Sequence, residues 1–147
     1  LDPDFVLNDP AYRRATILVT GPNFGSGSSR EHAPWSLEDW GFRAIIAPSF
    51  ADIFANNCTK IGLLPVVLTD DEVAALIAIA HDPEASVTID LPSQTVTASG
   101  FSASFDIDPF TKHCLVNGLD HIALTMRHEA DIDHFEAVRE AYKPVTA

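Results

Sequence analysis

Along the first half of the chain, short β-branched runs alternate with stretches whose apolar residues recur at helical spacing. Thr16-Ile17-Leu18-Val19-Thr20 reads as a strand, and a helical period follows through Ala33, Trp35 and Leu37 to about Trp40. Arg43-Ala44-Ile45-Ile46-Ala47 reads as a second strand, residues 50–60 with Ile53 and Phe54 as a second helix, and Leu64-Pro65-Val66-Val67-Leu68 as a third strand. That order predicts a βαβαβ unit. Asp70-Asp71-Glu72 puts acids where a helix dipole prefers them and opens a helix through Val73, Leu76, Ile77 and Ala80.

From residue 86 the period changes to two. Ser86-Val87-Thr88-Ile89-Asp90-Leu91, a Pro92-Ser93 turn, Gln94-Thr95-Val96-Thr97-Ala98 and then Phe101-Ser102-Ala103-Ser104-Phe105 predict a small β-meander. Asp106-Ile107-Asp108-Pro109 reads as a turn and helix entry. Residues 109–142 predict helices broken at Gly118 and around His128, with Ile132, Phe135, Val138 and Tyr142 at helical spacing. Trp35, Trp40 and Phe54 are expected in the core. No repeat, low-complexity tract or linker divides the chain, and 147 residues with 46% hydrophobic content suffice for one core. Residues 1–147 therefore read as a single α/β domain.

Charge narrows the function. Nine Lys+Arg against 21 Asp+Glu give a net charge of −12, which repels a phosphate backbone and argues against nucleic-acid binding. An acidic protein that must hold an acidic ligand has to concentrate cations and N–H groups in one place, and Arg30 is the best candidate. Cys58 and Cys114 lie far apart without C-x-x-C spacing, so this chain cannot itself supply the thiolates of a zinc ribbon or an iron–sulfur cluster. Each reads as a small buried hydrophobe in a reducing compartment, the cytoplasm. The first residues lack the pattern of a signal peptide, and the longest apolar run, 73–80, falls far short of the ~20 residues that span a bilayer, so no membrane association is expected.

The chemistry concentrates in Gly21-Pro22-Asn23-Phe24-Gly25-Ser26-Gly27-Ser28-Ser29-Arg30-Glu31-His32, where a strand hands over to a helix. Ser28-x-x-Glu31 is a capping-box spelling, and helix N–H groups beside glycines favour a bound carboxylate or phosphate. Arg30 in a first helical turn would oppose the macrodipole, which points to a negative ligand that satisfies both. Ser28 is either the helix cap or a base whose alkoxide the N–H groups and Arg30 stabilise. Arg30 is either an ion-pair partner of Glu31 or Glu38 or a bidentate clamp on a carboxylate, with Ser29 beside it. His32 is placed in a supporting role. Neither G-x-S-x-G nor a P-loop nor G-x-G-x-x-G is present, which weakens hydrolase, NTPase and dinucleotide readings. His113, His121, His128 and His134 with Asp131 and Asp133 lack metal-motif spacing and read as solvated surface.

Gly25-Ser26-Gly27-Ser28-Ser29-Arg30-Glu31-His32, together with Ile45-Ile46-Ala47-Pro48-Ser49-Phe50-Ala51-Asp52-Ile53-Phe54 and Gly62-Leu63-Leu64-Pro65, closely resembles the aconitase superfamily. Asp4-Phe5-Val6-Leu7-Asn8, Ile107-Asp108-Pro109-Phe110 and Asn117-Gly118-Leu119-Asp120 make the chain similar, over nearly its whole length, to the small-subunit family of 3-isopropylmalate dehydratase. The resemblance implies a swivelling β/β/α domain, like the aconitase C-terminal domain, with a mixed sheet flanked by helices. It implies a hydro-lyase of leucine biosynthesis, isomerising 2-isopropylmalate to 3-isopropylmalate through an unsaturated dicarboxylate. The implied partner is a large subunit that carries a 4Fe-4S cluster whose iron acts on the leaving hydroxyl, with no metal in this chain. Carried over to these positions, Ser28 is the base that removes the carbon-bound proton, and Ser29 and Arg30 hold the substrate. Gly25, Gly27, Glu31 and His32 support them. Family members begin with a segment like Asp-Thr-Asp-Gln-Ile-Ile-Pro and a specificity loop, after which this sequence begins, so an N-terminally incomplete domain is expected. The alternatives are the small subunit of a hydro-lyase for homoaconitate, citraconate or dimethylmalate, and a non-catalytic carboxylate-binding or assembly module.

Overall fold

Ala44, Ile45, Ile46 and Ala47 are all buried, as befits a central strand covered on both faces. In the computed structural model, which describes residues 5–27 and 30–140, these four residues form β2 (Ala44–Ala47). It lies between β1 (Ile17–Val19) and β3 (Leu64–Val67) in a parallel sheet, with Leu18 beside Ile45 and Ile46 beside Val66. The crossovers are α1 (His32–Trp40) and α2 (Asp52–Lys60), which completes the expected βαβαβ unit. Pro65 is tolerated within β3 because that strand is an edge. Leu64 donates its N–H to the Arg43 carbonyl at 3.0 Å, so the alternation turns the proline nitrogen away from β2.

The two-residue period of β2 divides the core. Ile45 faces Phe42, Phe54, Cys58 and Leu63, with Ala33 and Leu37 of α1 packed against them. Ala44 and Ile46 face the opposite way, onto Val73 and Leu76 of α3 (Asp70–Ala80) and onto Val96, Ala103 and Phe105. The last group belongs to the antiparallel meander β4 (Thr88–Asp90), β5 (Thr95–Ala98) and β6 (Phe101–Ser104). The expected mixture of parallel and antiparallel pairing is thus realised in separate three-stranded sheets. Each large aliphatic or aromatic side chain buried here contributes about 1.5–3 kcal/mol.

The tail forms α4 (Pro109–Asn117), α5 (His121–Met126) and α6 (Glu129–Val138), with breaks at Gly118 and His128 as the sequence pattern requires. Asp108 caps α4, accepting the Thr111 N–H at 2.8 Å, and Pro109 takes the first helical position. Phe135 and Val138 keep their helical spacing but are 57% and 65% exposed. Tyr142 lies outside the described residues.

Two core assignments need correction: Trp35 and Trp40 are each 41% exposed, whereas Phe54 is buried. The inward stripe of α1 is Ala33, Pro34 and Leu37, which turns Trp35 to the opposite side, where its ring meets His32 at 4.9 Å. Trp40 is the last helical residue; after the left-handed Gly41 the chain reverses, and Phe42 takes the core position instead.

Thr69 and Glu72 form a complete capping box on α3, the Glu72 carboxylate accepting the Thr69 N–H at 2.9 Å and its hydroxyl at 2.8 Å. Thr69→Ala is expected to lower the unfolding free energy by about 1 kcal/mol, read from urea denaturation at neutral pH. Those hydrogen bonds, from the Thr69 backbone first and its hydroxyl second, hold the Glu72 carboxyl below its ordinary value. The contribution of Glu72 is therefore complete above the unfolded-state carboxylate range and is lost as pH falls through the lowered folded value. The stability gap between the unaltered protein and Glu72→Ala should narrow over that acidic interval.

Candidate functional site

Ligands of parallel α/β sheets bind beyond the carboxyl ends of the strands, where loops leave backbone groups and side chains converging. The Gly-Ser-Arg segment lies there. It departs from the end of β1 at Thr20, whose N–H donates to the Ile46 carbonyl at 2.9 Å. Three bonds then fasten the segment to the turn between β2 and α2. Asn23 N–H donates to Ser49 Oγ at 2.8 Å, Phe24 N–H to the Ser49 carbonyl at 3.0 Å, and Ala51 N–H to the Phe24 carbonyl at 2.9 Å. Phe24 and Phe50 form an isolated parallel bridge, so strand-like pairing continues past the sheet before the loop turns away.

Aromatic packing holds the same point from below. The Phe24 ring stands edge-on to Phe54 at 5.4 Å and to Phe50 at 6.4 Å, while Phe50 and Phe54 are stacked at 6.4 Å. Asn23 and Gly25 adopt left-handed backbone, at φ 56° and 82°. A Cβ on Gly25 would stand 2.6 Å from both Cβ and Cδ1 of Phe54, so this glycine serves a close approach as well as a positive φ.

Gly25 is half-buried, and Gly27, Arg30, Glu31 and His32 are exposed. Ser28 and Ser29 lie outside the described residues. The expected Ser28–Glu31 capping box thus rests on a residue outside those described; α1 starts at His32, with Glu31 at the N-cap and no side-chain cap bond there, and Arg30 precedes the first turn. The reason is local. Pro34 suits the first helical turn, where its missing N–H costs nothing, and this draws the helix start toward it. The helix also offers fewer amides to an anion than the glycine–serine pattern suggests, since Pro34 has none and Ala33 donates to the Arg30 carbonyl at 3.3 Å. Charge for an anion at this place comes from Arg30. Glu38 lies 4.0 Å from Arg43 across an exposed surface, a contact worth little.

The sequence pattern assigns no role to Ser49, because nothing local marks it: its partner Asn23 is 26 positions away. Asn23 itself carries one usable signal, an asparagine after proline in a turn, the residue type that tolerates left-handed backbone.

Concave volume lies elsewhere. A cavity of about 340 Å³ is lined by residues of the β1 edge and the α3–β4 connection, among them Arg14, Ile17, Asp82 and Glu84. Another of about 200 Å³ is lined by Leu7, Tyr12, Ile17, Phe42 and Ile77. The loop, rather than these cavities, gathers the glycine, serine and arginine residues. Cys58 is fully buried and its thiol is pushed up to about 12, chiefly by that burial, so it stays protonated and inert. Cys114 is half-buried. Among the described residues, no group of three or more His, Cys, Asp and Glu is placed to hold a metal ion, and no helix is long and apolar enough to cross a membrane. His128 and Asp131 approach to 3.6 Å on the exposed surface.

Known proteins match this arrangement. A family model described as Aconitase C-terminal domain matches residues 2–71, and one described as LeuD_N matches residues 74–109. A third, for the C-terminal domain of the 3-isopropylmalate dehydratase small subunit, matches residues 122–146. A 3-isopropylmalate dehydratase small subunit of Rubrobacter xylanophilus is 56% identical, over 97% of this chain and 74% of that protein. The protein of the same name from Dinoroseobacter shibae is 57% identical, over 97% of this chain and 72% of its own length. A crystal structure of 3-isopropylmalate dehydratase from Methanocaldococcus jannaschii superposes with a TM-score of 0.63 at 28% identity, covering 80% of this chain and 68% of that one. Sharing more than half its residues with such proteins over nearly its full length, the chain belongs to the 3-isopropylmalate dehydratase small-subunit family of the aconitase superfamily.

Proposed function

We propose that this chain is the small subunit of a cytoplasmic hydro-lyase of leucine biosynthesis, which interconverts 2-isopropylmalate and 3-isopropylmalate by removing and re-adding water. The observation that carries the reading is identity of 56–57% over 97% of the chain to proteins of that name. On this reading Ser28 takes the carbon-bound proton, and Ser29 and Arg30 hold a substrate carboxylate. A serine hydroxyl is a weak base unless its anion is stabilised, and a neighbouring guanidinium with backbone N–H groups supplies that stabilisation. Arg30 serves twice, since its planar fork matches a carboxylate and its charge offsets the net −12 of the chain. The clamp on Asn23, Phe24 and Gly25 anchors the segment at one end, and α1 anchors it at the other.

The chain's thiols do not fit a cluster site, since Cys58 is fully buried and protonated, and Cys114 alone cannot ligate one. The resemblance to the aconitase superfamily implies a 4Fe-4S cluster, which we assign to the large subunit, so that the reaction needs both chains.

Reconstitution tests this. The chain mixed with its large subunit is expected to dehydrate 2-isopropylmalate, and the chain alone to be silent. Arg30→Lys should lower kcat/KM about 10- to 100-fold while leaving co-purification with the large subunit intact, because lysine keeps the charge but loses the fork. Activity of the isolated chain would sink the subunit reading. Turnover of homoaconitate, citraconate or dimethylmalate in preference to isopropylmalate would redirect the specificity.

A further inference from the structure

Asn23 is held in left-handed backbone at φ 56°, a conformation that asparagine tolerates but does not prefer. Of the three bonds that fasten this stretch to the β2–α2 turn, two are backbone to backbone and would form with any residue at position 49. Only the third depends on which residue stands there: Ser49 Oγ accepts the Asn23 N–H at 2.8 Å. Both residues are exposed, so losing the hydroxyl leaves the N–H to water without burying an unpaired donor. The fold would survive, and what changes is how firmly the loop's point of departure is set. Gly25 follows two residues later, and the Ser28–Arg30 segment comes shortly after it.

We propose that Ser49 is a positioning residue for the reaction, its hydroxyl locking the left-handed Asn23 so that the Gly25–Gly27 stretch delivers the base at position 28 to the substrate carbon. The proposal rests on the assignment of Ser28 and Arg30 made above. A misplacement of about 1 Å costs on the order of 100-fold in rate, and a lost bond beside the sheet allows a shift of that order or less. In the reconstituted heterodimer, Ser49→Ala is expected to lower kcat about 10- to 100-fold with a smaller change in KM, because proton removal depends on placement more steeply than carboxylate binding does. Its melting temperature should fall by no more than a few degrees. Hydrogen exchange at the Asn23 amide should accelerate, and Ser49→Thr, which keeps a hydroxyl at the same carbon, should restore both amide protection and kcat.

Two outcomes overturn the proposal: a Ser49→Ala enzyme with unaltered kcat, or a Ser49→Thr enzyme that protects the Asn23 amide yet is as impaired as the alanine variant. Ser28→Ala and Arg30→Lys are assayed alongside. If those two retain full activity, the site itself is misassigned; if they lose activity while Ser49→Ala keeps it, only the positioning role fails.

Discussion

Ser28→Ala and Ser28→Asn are both expected to lower kcat of the heterodimer by about 100- to 10,000-fold, the usual contribution of a general base. Neither side chain forms an alkoxide, and neither has a polar atom of suitable basicity at the same reach. Stability separates this from a structural role. Were Ser28 the helix cap, alanine would cost about 0.5–2 kcal/mol and asparagine almost nothing. If Ser28 is the base and no cap, both variants should melt near the unaltered protein. The measurement is exchange of the substrate's carbon-bound proton with solvent, run beside thermal unfolding. Proton exchange at an undiminished rate in Ser28→Asn would move the base elsewhere, whatever the effect on stability.

Gly25→Ala should give the largest loss of stability of any glycine-to-alanine change in the Gly21–Arg30 segment. Alanine in left-handed backbone costs about 1–2 kcal/mol, and forcing a methyl against a buried aromatic ring costs about 1–3 more, so about 2–5 kcal/mol in all. Phe54 cannot swing away cheaply, since it is 2% exposed and held between Phe24 and Phe50. In a chain of this length the melting temperature should fall by roughly 5–15 °C. Gly27 is the internal control: a Cβ there meets nothing within 4 Å, and its backbone is not left-handed, so Gly27→Ala should stay within about 0.5 kcal/mol of the unaltered protein. Equal losses at the two positions would mean that the contact with Phe54 does not set the requirement for glycine at position 25.

What the sequence determined by itself was everything governed by short-range periodicity and local chemistry. The β-branched runs at 17–19, 44–47 and 64–67 became strands because a few consecutive residues already declare their two-residue or fully apolar pattern. The start of α3 at its run of acids and the entry to α4 after Asp108 are set by adjacent residues and are equally local. The concentration of glycine, serine and arginine at 21–30 located the candidate site without any knowledge of its neighbours. Only the tertiary structure decided which apolar residues find cover: Trp40 and Phe42 look alike in sequence, but the reversal at Gly41 buries one and exposes the other. It also decided that Gly25 makes room for Phe54 and that Asn23 meets Ser49. These facts involve partners on different crossovers of the sheet. No periodicity encodes such a pairing, because it arises only when parallel strands bring the ends of two loops side by side.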